Sequence, residues 1–280
     1  MIMAEEFLSE AAIKRNRTKH KVKVHTLQLS LAIFLLGSWQ LLADHQILDP
    51  FFYGRPSGVM HQLGVWISHG TSIGSLWVNA WVTFYEATYG FLAGVTLGII
   101  FGVFLARNPT AAEIFAPYIK VSNSIPRVVL GSIFVLWLGL GSVSKVALAF
   151  VLVFFSVFFN AFQGTREADN KLIANARLLG ASKRQITLKV IFPSALSWIT
   201  ASMHVSFGFA LIGAIVGEFL GAQRGLGLLI ATAQGNFNPN GVYAAMLLIA
   251  IMALTAEWLI TKMENRLLNW RPTQVSGSEL

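Results

Sequence analysis

Long apolar runs separated by short clusters of charge set the rhythm of this chain. Each uncharged interval can be measured against the ~20 residues a helix needs to cross hydrocarbon. Six qualify or nearly do: Val24 to Ala43, Ala87 to Ala106, Val128 to Ser144, Val146 to Thr165, Val190 to Gly217, and Gly225 to Ala256, the last apolar mainly from Gly241. The spans drawn from them run over about 26–43, 77–106, 126–141, 145–163, 193–219 and 241–261. The pattern predicts an all-α polytopic membrane protein. A polar tail covers 1–23, a six-helix membrane domain 24–262 with a long polar loop at 164–192, and a second tail 263–280.

Composition narrows the reading. The 280 residues are 55% hydrophobic and 12% charged, with mean hydropathy +0.61, whereas charged residues make up about 25% of ordinary soluble domains. A formal charge of +8 would suggest nucleic acid in a soluble chain. Here the basic residues alternate with uncharged stretches and flank the spans, so nucleic acid is not an expected partner. The chain has no cysteine, which excludes disulfides, thiolate metal sites and a Cys nucleophile. Its six histidines form no close cluster with acids, so no metal site is expected.

Lys and Arg remain on the cytoplasmic side of membrane proteins. With the N-terminus inside, eighteen of the 21 basic residues fall inside, leaving only Arg55, Lys145 and Arg224 outside. That asymmetry predicts six spans with both termini cytoplasmic. The first segment has a long apolar region and only a poor cleavage site at LLADHQ, so it reads as an anchor rather than a cleaved signal. Ahead of it, the amphipathic EEFLSEAAIK and a basic arm read as a solvated tail lying against anionic lipid.

Two polar stretches stand out. The outer one, Asp44 to Leu76, is punctuated by Pro and Gly and contains GVMHQLGVWISHG, a candidate short interfacial helix. The inner one, Gln163 to Phe192, places Leu172, Ile173, Ala176 and Leu179 at helical spacing, with Gly180 where a helix C-cap glycine would sit. Ser182 then starts a second amphipathic stretch, and Pro193 opens the next membrane helix. Taken alone, this loop is either a capped surface element or a peg for a cytoplasmic partner.

At these residues the chain resembles the permeases of ATP-binding-cassette (ABC) importers of the type I fold. Their loop signature is Glu-Ala-Ala, three residues, Gly, nine residues, Ile, any residue, Leu-Pro. Ala176, Gly180, Val190, Phe192 and Pro193 occupy the second Ala, Gly, Ile, Leu and Pro positions. Ala174 stands where Glu is usual and Asn175 where the first Ala is usual, so no contact of that Glu carries over. The literal string Glu10-Ala11-Ala12 is a decoy, because Asn16 rather than Gly follows it at the required distance. The likeness extends over roughly Leu48 to Trp270. Through the outer Pro-rich segment with the run after Gly70, SIPRVVLGSIFVLWLGLG, NARLLGASKRQ and GEFLGAQRGLGLLIATAQ, it is nearest to permeases of nitrate, sulfonate, taurine and related solutes. Family members often carry Arg where Glu86 stands.

The resemblance implies a permease homodimer in the bacterial inner membrane, an external solute-binding protein that delivers substrate, and a separate ABC ATPase. The ATPase would receive the loop as a coupling helix through Ala174, Asn175, Ala176, Arg177, Leu179, Gly180 and Ala181, with Pro193 behind it. This chain has no G-x-x-x-x-G-K-[ST], so ATP would sit on the partner, with no cofactor or catalytic residue here. The leading substrate reading is nitrate, sulfonate or taurine. A pyrimidine vitamin precursor or other neutral or aromatic solute is the alternative.

Ionisable residues in spans are functional candidates because burying them is costly. Glu86, Glu218 and Glu257 all fall near span ends and read as solvated interfacial carboxylates, with Glu218 kept as a possible pathway residue. His204 is either a pathway residue or a hydrogen-bonded core histidine. Gly90, Gly94, Gly98 and Gly102 form a four-residue ladder that permits close helix packing. Gly70 to Gly74 matches G-x-S-x-G, but no strand precedes Ser72, and Asp169 falls in the inside loop, so a hydrolase with His204 is disfavoured. A proton-coupled carrier using Glu86 or Glu257 lacks the inverted repeats expected of it.

Overall fold

The computed structural model describes residues 2–267, apart from the side chains of 2–18 and of Asn170. The expected tail from 268 onward, with Arg271, lies outside the described residues, as do the side chains of the amphipathic EEFLSEAAIK. No strand forms among the described residues; Thr71 and Gly74 make one isolated bridge. Among the described residues five helices are long and apolar enough to cross a membrane, and a bent helix pair adds a sixth candidate.

Helix α1 (Ile2–Asp44) is continuous over 43 residues. The expected polar tail and the first span are therefore one helix, and the reason is local: neither Gly nor Pro occurs before Gly37. Helices α2 (Pro50–Tyr53) and α3 (Pro56–His69) each open on proline, whose missing N–H costs nothing in a first turn. Asp49 caps α2, accepting a hydrogen bond from Phe51 N at 2.9 Å. The GVMHQLGVWISHG stretch is thus helical, ending at Gly70.

The centre of the fold is α4 (Leu76–Arg107), α7 (Ser142–Arg166) and α10 (Phe192–Leu220). Ala87, Phe91 and Val95 meet Ala149, Val153 and Val157, and α10 completes this core through Ile199, Met203 and Phe207. The glycine ladder lies on the α4 face against α7. A Cβ at Gly90 would stand 2.4 Å from Ala149 Cβ, one at Gly94 2.6 Å from Val153 Cβ, and one at Gly102 2.7 Å from the Phe158 carbonyl. The backbones approach too closely there for any side chain.

The span expected at 126–141 is not one straight helix. Helix α5 (Pro109–Ser124), in a stretch whose charges alone suggest a loop, is followed by a 3-10 turn at Arg127–Val129 and by α6 (Leu130–Leu138), with a bend of 78° between the two arms. Pro109 opens α5, and Pro126 denies the ladder a donor and disfavours helical backbone at Ile125, which is extended. At nine residues α6 spans only ~13 Å. Helix α8 (Asn170–Leu178) and helix α9 (Lys183–Ile186) form the polar loop. Helices α11 (Leu226–Gly235) and α12 (Pro239–Leu267) are the last of the described helices; Leu226, Leu229, Ala244 and Ala245 join Val59, Trp66 and Leu76 in a second core.

Candidate functional site

The loop between α7 and α10 is held by its own backbone. Asp169 caps α8, its Oδ1 accepting from Lys171 N at 2.7 Å. At the other end Gly180 N donates to Arg177 O at 2.9 Å and Ala181 N to Ala176 O at 3.0 Å. These are the two bonds of a Schellman motif, which needs a left-handed residue at the position Gly180 fills. Its φ is +80°. Ser182 then makes a capping box with Gln185, accepting from Gln185 N at 3.3 Å while Ser182 N donates to Gln185 Oε1 at 2.8 Å.

Ile173, Ala176 and Ala181 turn inward onto Ala168, Ile186 and Ile191, a small core of the loop's own. Ala174, Asn175, Arg177 and Gly180 remain exposed. The single apolar face expected over Leu172 to Leu179 therefore splits. Leu172 and Leu179 point away together with Leu178, which lies off the helical period, and Leu178 and Leu179 are 86% and 88% exposed. From α9 the chain continues through a π-helical turn, Thr187–Ile191, into α10. Pro193 accounts for this: its ring would clash with the carbonyl four residues back in a regular helix. Lys183–Leu220 is thereby one 38-residue helical unit, ~57 Å long.

At the far end of that unit lies a buried polar cluster. Glu218 is 0% exposed and Glu86 2%, so neither is the solvated interfacial carboxylate its position near a span end suggested. For Glu86 the cause is depth, because α4 starts ten residues earlier, at Leu76. For Glu218 the cause is α11, which folds back over the end of α10. Glu218 Oε1 accepts from Thr83 Oγ1 at 2.7 Å and Oε2 from Gly227 N at 2.6 Å. Thr83 Oγ1 also accepts from Leu226 N at 2.8 Å, and Asn79 Oδ1 from Gly225 N at 2.9 Å. Three first-turn amides of α11 thus find acceptors on α4 and α10, where a carboxylate also complements the helix dipole. A Cβ at Gly225 would fall 2.2 Å from the Glu218 carboxyl carbon.

Lys145, placed by the sequence in an outer flank, is 1% exposed. Its Nζ reaches back to Leu140 O at 2.7 Å and Gly141 O at 3.1 Å, tying α7 to the end of α6. Glu86 Oε2 has no hydrogen-bond partner among the described residues. It borders a cavity of about 130 Å³ that Ser142 and Arg224 also line. Ser142 accepts from the Tyr85 hydroxyl.

His204 lies midway along α10, a quarter exposed, and is hydrogen-bonded on both nitrogens: Nδ1 to Glu257 at 2.6 Å and Nε2 to Glu264 at 2.7 Å, both on α12. With Asp169 engaged at the α8 cap and Ser72 in the α3–α4 turn, the Ser72–His204–Asp169 arrangement of a hydrolase does not form. Among the described residues no group of three His, Cys, Asp or Glu has metal-holding geometry.

Comparison with known proteins places this geometry in a family. Residues 94–269 match the binding-protein-dependent transport system inner membrane component. The chain is similar to the putative aliphatic sulfonates transport permease SsuC of Bacillus subtilis, with 28% identity over 87% of each chain. It is also similar to the formylaminopyrimidine transport permease ThiX of Halalkalibacterium halodurans, with 32% identity over 66% of this chain and 74% of that one. Among solved structures, a chain of the inward-facing MetNI methionine ABC transporter shares the fold, with TM-score 0.58 and 18% identity over 70% of this chain and 95% of that one. This chain belongs to the binding-protein-dependent transport system inner membrane components, as a membrane-spanning permease subunit of the ABC importer class.

Proposed function

We propose that two copies of this chain form the translocation pathway of an ATP-driven importer in the bacterial inner membrane, with both termini cytoplasmic. A sulfonate, taurine among them, is the leading cargo, delivered by an external binding protein. The observation that carries the ATPase partner is the loop: a Schellman turn and a capping box hold Ala174, Asn175, Arg177 and Leu179 on a rigid knob with two bare leucines. Exposed leucines at the tip of a polar, capped element suit a socket on another protein better than water. The Lys/Arg distribution supports the cytoplasmic placement of this loop, and the match to SsuC over most of both chains supports the sulfonate.

In mechanism, closure of the ATPase pair displaces the knob, and the 38-residue unit behind it carries the displacement through the membrane. At its far end Glu218 transmits it to Thr83 on α4 and to the first turn of α11. The permease rocks between two states whose populations the nucleotide shifts. ATP is bound and hydrolysed on the partner alone.

The test is co-purification from mild detergent after expression with the neighbouring open reading frames. An ATPase subunit that elutes with wild type and is lost from Gly180→Arg supports the coupling role. A permease that purifies alone and takes up solute on a proton gradient without ATP refutes it and favours a carrier. The likeness to ThiX keeps a formylaminopyrimidine as the second cargo reading. Competition of unlabelled formylaminopyrimidine against labelled taurine uptake in proteoliposomes separates the two.

A further inference from the structure

A cleft of about 990 Å³ opens at the loop end of the helices, between α4, α7 and the α8–α9 segment. Its polar wall carries Arg107, Arg166, Arg177, Lys183 and Arg184. None of these five cations has a carboxylate within 4.0 Å among the described residues, where the only ion pairs involve Arg55 and His204. Of the nearby acids, Glu167 accepts from the Gln163 amide and Asp169 caps α8; Glu113 on α5 borders a smaller neighbouring pocket with Arg166 but makes no ion pair with it. Five positive charges gathered around one cleft repel one another, and an anion among them relieves that repulsion.

A second observation points the same way. Thr165, in the last turn of α7, lines the cleft at 6% exposure, and its Oγ1 has no hydrogen-bond partner among the described residues. A helical threonine ordinarily returns its hydroxyl to the carbonyl four residues back. This one does not, and a buried hydroxyl without a partner is costly. It is a donor held ready beside the cations.

The apolar part of the lining lies chiefly on α4, below Arg107 itself, and identifies the kind of anion. Counting back from Arg107, positions 104, 103, 100 and 99 fall on the same face of α4 at helical spacing. They are Phe104, Val103, Ile100 and Ile99, all lining the cleft. Phe104 and Ile100 are more than half exposed. A lane ~12 Å long runs from the guanidinium of Arg107 towards the middle of the membrane. A soluble anion would use only the charged wall; an amphiphile uses both.

We propose that this cleft binds an anionic phospholipid, its phosphate headgroup held by Arg107, Arg166, Arg184 and Thr165 and an acyl chain lying along the α4 lane. From the proposed function this takes only that the loop end of the helices lies at a membrane surface. Basic pockets between membrane helices on the cytoplasmic side are suited to such headgroups. Arg107 Nη1 also donates to the Lys183 carbonyl at 3.3 Å, so a headgroup bound here bridges α4 to the segment that carries the coupling knob.

The test is native mass spectrometry of the delipidated full-length permease titrated with phosphatidylglycerol, phosphatidylcholine or free glycerol phosphate. Wild type and Lys120→Gln, whose lysine on α5 lies outside the cleft, should retain phosphatidylglycerol in preference to phosphatidylcholine. The pair Arg166→Gln/Arg184→Gln should weaken phosphatidylglycerol roughly tenfold or more, and Thr165→Val should weaken it severalfold without removing any charge. Equal retention by wild type and both variants overturns the proposal, as does equal binding of the two lipids. Displacement of the lipid by equimolar glycerol phosphate assigns the cleft to a soluble phosphate and overturns the lipid. Thr165→Val decides the matter if the double variant fails to fold. Because no ATPase is present, failure here leaves the importer reading to its own co-purification test.

Discussion

Thr83 on α4 and Glu218 on α10 stand 135 positions apart and share a 2.7 Å hydrogen bond in a site where Glu218 is wholly buried. The same hydroxyl accepts from Leu226 N, and the same carboxylate from Gly227 N. Two side chains thus satisfy the start of α11 while joining the two longest central helices. Removing either leaves orphaned donors in a place that water does not reach.

Glu218→Ala is therefore expected to destabilise the permease by about 3 kcal/mol, from one or two buried groups left unpaired at roughly 1–3 kcal/mol each. Thr83→Val, which keeps the shape and loses the hydroxyl, should cost about half as much. The measurement is the temperature at which heated, detergent-purified protein loses its monodisperse size-exclusion peak. Unchanged melting for Glu218→Ala would mean that the cluster does not hold α11.

At its glycine positions the α4–α7 seam admits no side chain. Gly90→Ala places a Cβ 2.4 Å from that of Ala149, with Phe150 N and the Val146 carbonyl at 3.0 Å. The expected cost is about 1–3 kcal/mol. Adding Ala149→Gly should restore only part of it, because the backbone contacts remain. A double-mutant cycle on the same melting assay reads the coupling.

Leu178 and Leu179 touch almost nothing within the chain. Replacing both with serine should leave melting within about 0.5 kcal/mol of wild type and sharply reduce the ATPase subunit recovered on co-purification. Full recovery of the ATPase would place the docking surface elsewhere.

His204 ties α10 to α12 through Glu257 and Glu264, and all three side chains are partly exposed. Partly exposed pairs contribute little, about 0–1 kcal/mol each. His204→Gln should therefore lower melting only slightly, and 0.5 M salt should narrow the gap from wild type. A large loss of transport with unchanged melting would instead return His204 to the pathway.

Much of the architecture follows from local rules that sequence expresses directly. Apolar runs of membrane length, the glycine ladder on one face of α4, the Gly180 and Ser182 caps and the proline at 193 are short-range features, and each forms where its residues stand. The loop's tip is a further short-range matter, although a 3.6-residue period assigns only one leucine of the adjacent pair Leu178 and Leu179 to a face. What the sequence could not convey depends on partners far along the chain. The 78° break between α5 and α6 hides in a stretch whose charges alone suggest one loop and one span. The carboxylates of Glu86 and Glu218 look interfacial when counted from the nearest charge, and only the fold of α11 over α10 buries Glu218 beside Thr83 and Asn79. Lys145 reads as an outer-flank cation until its Nζ is seen to cap the carbonyls of the preceding turn. Hydrophobic period and turn chemistry act within a few residues and are written in order, whereas burial of a polar group is a relation between segments that meet only once the helices have packed.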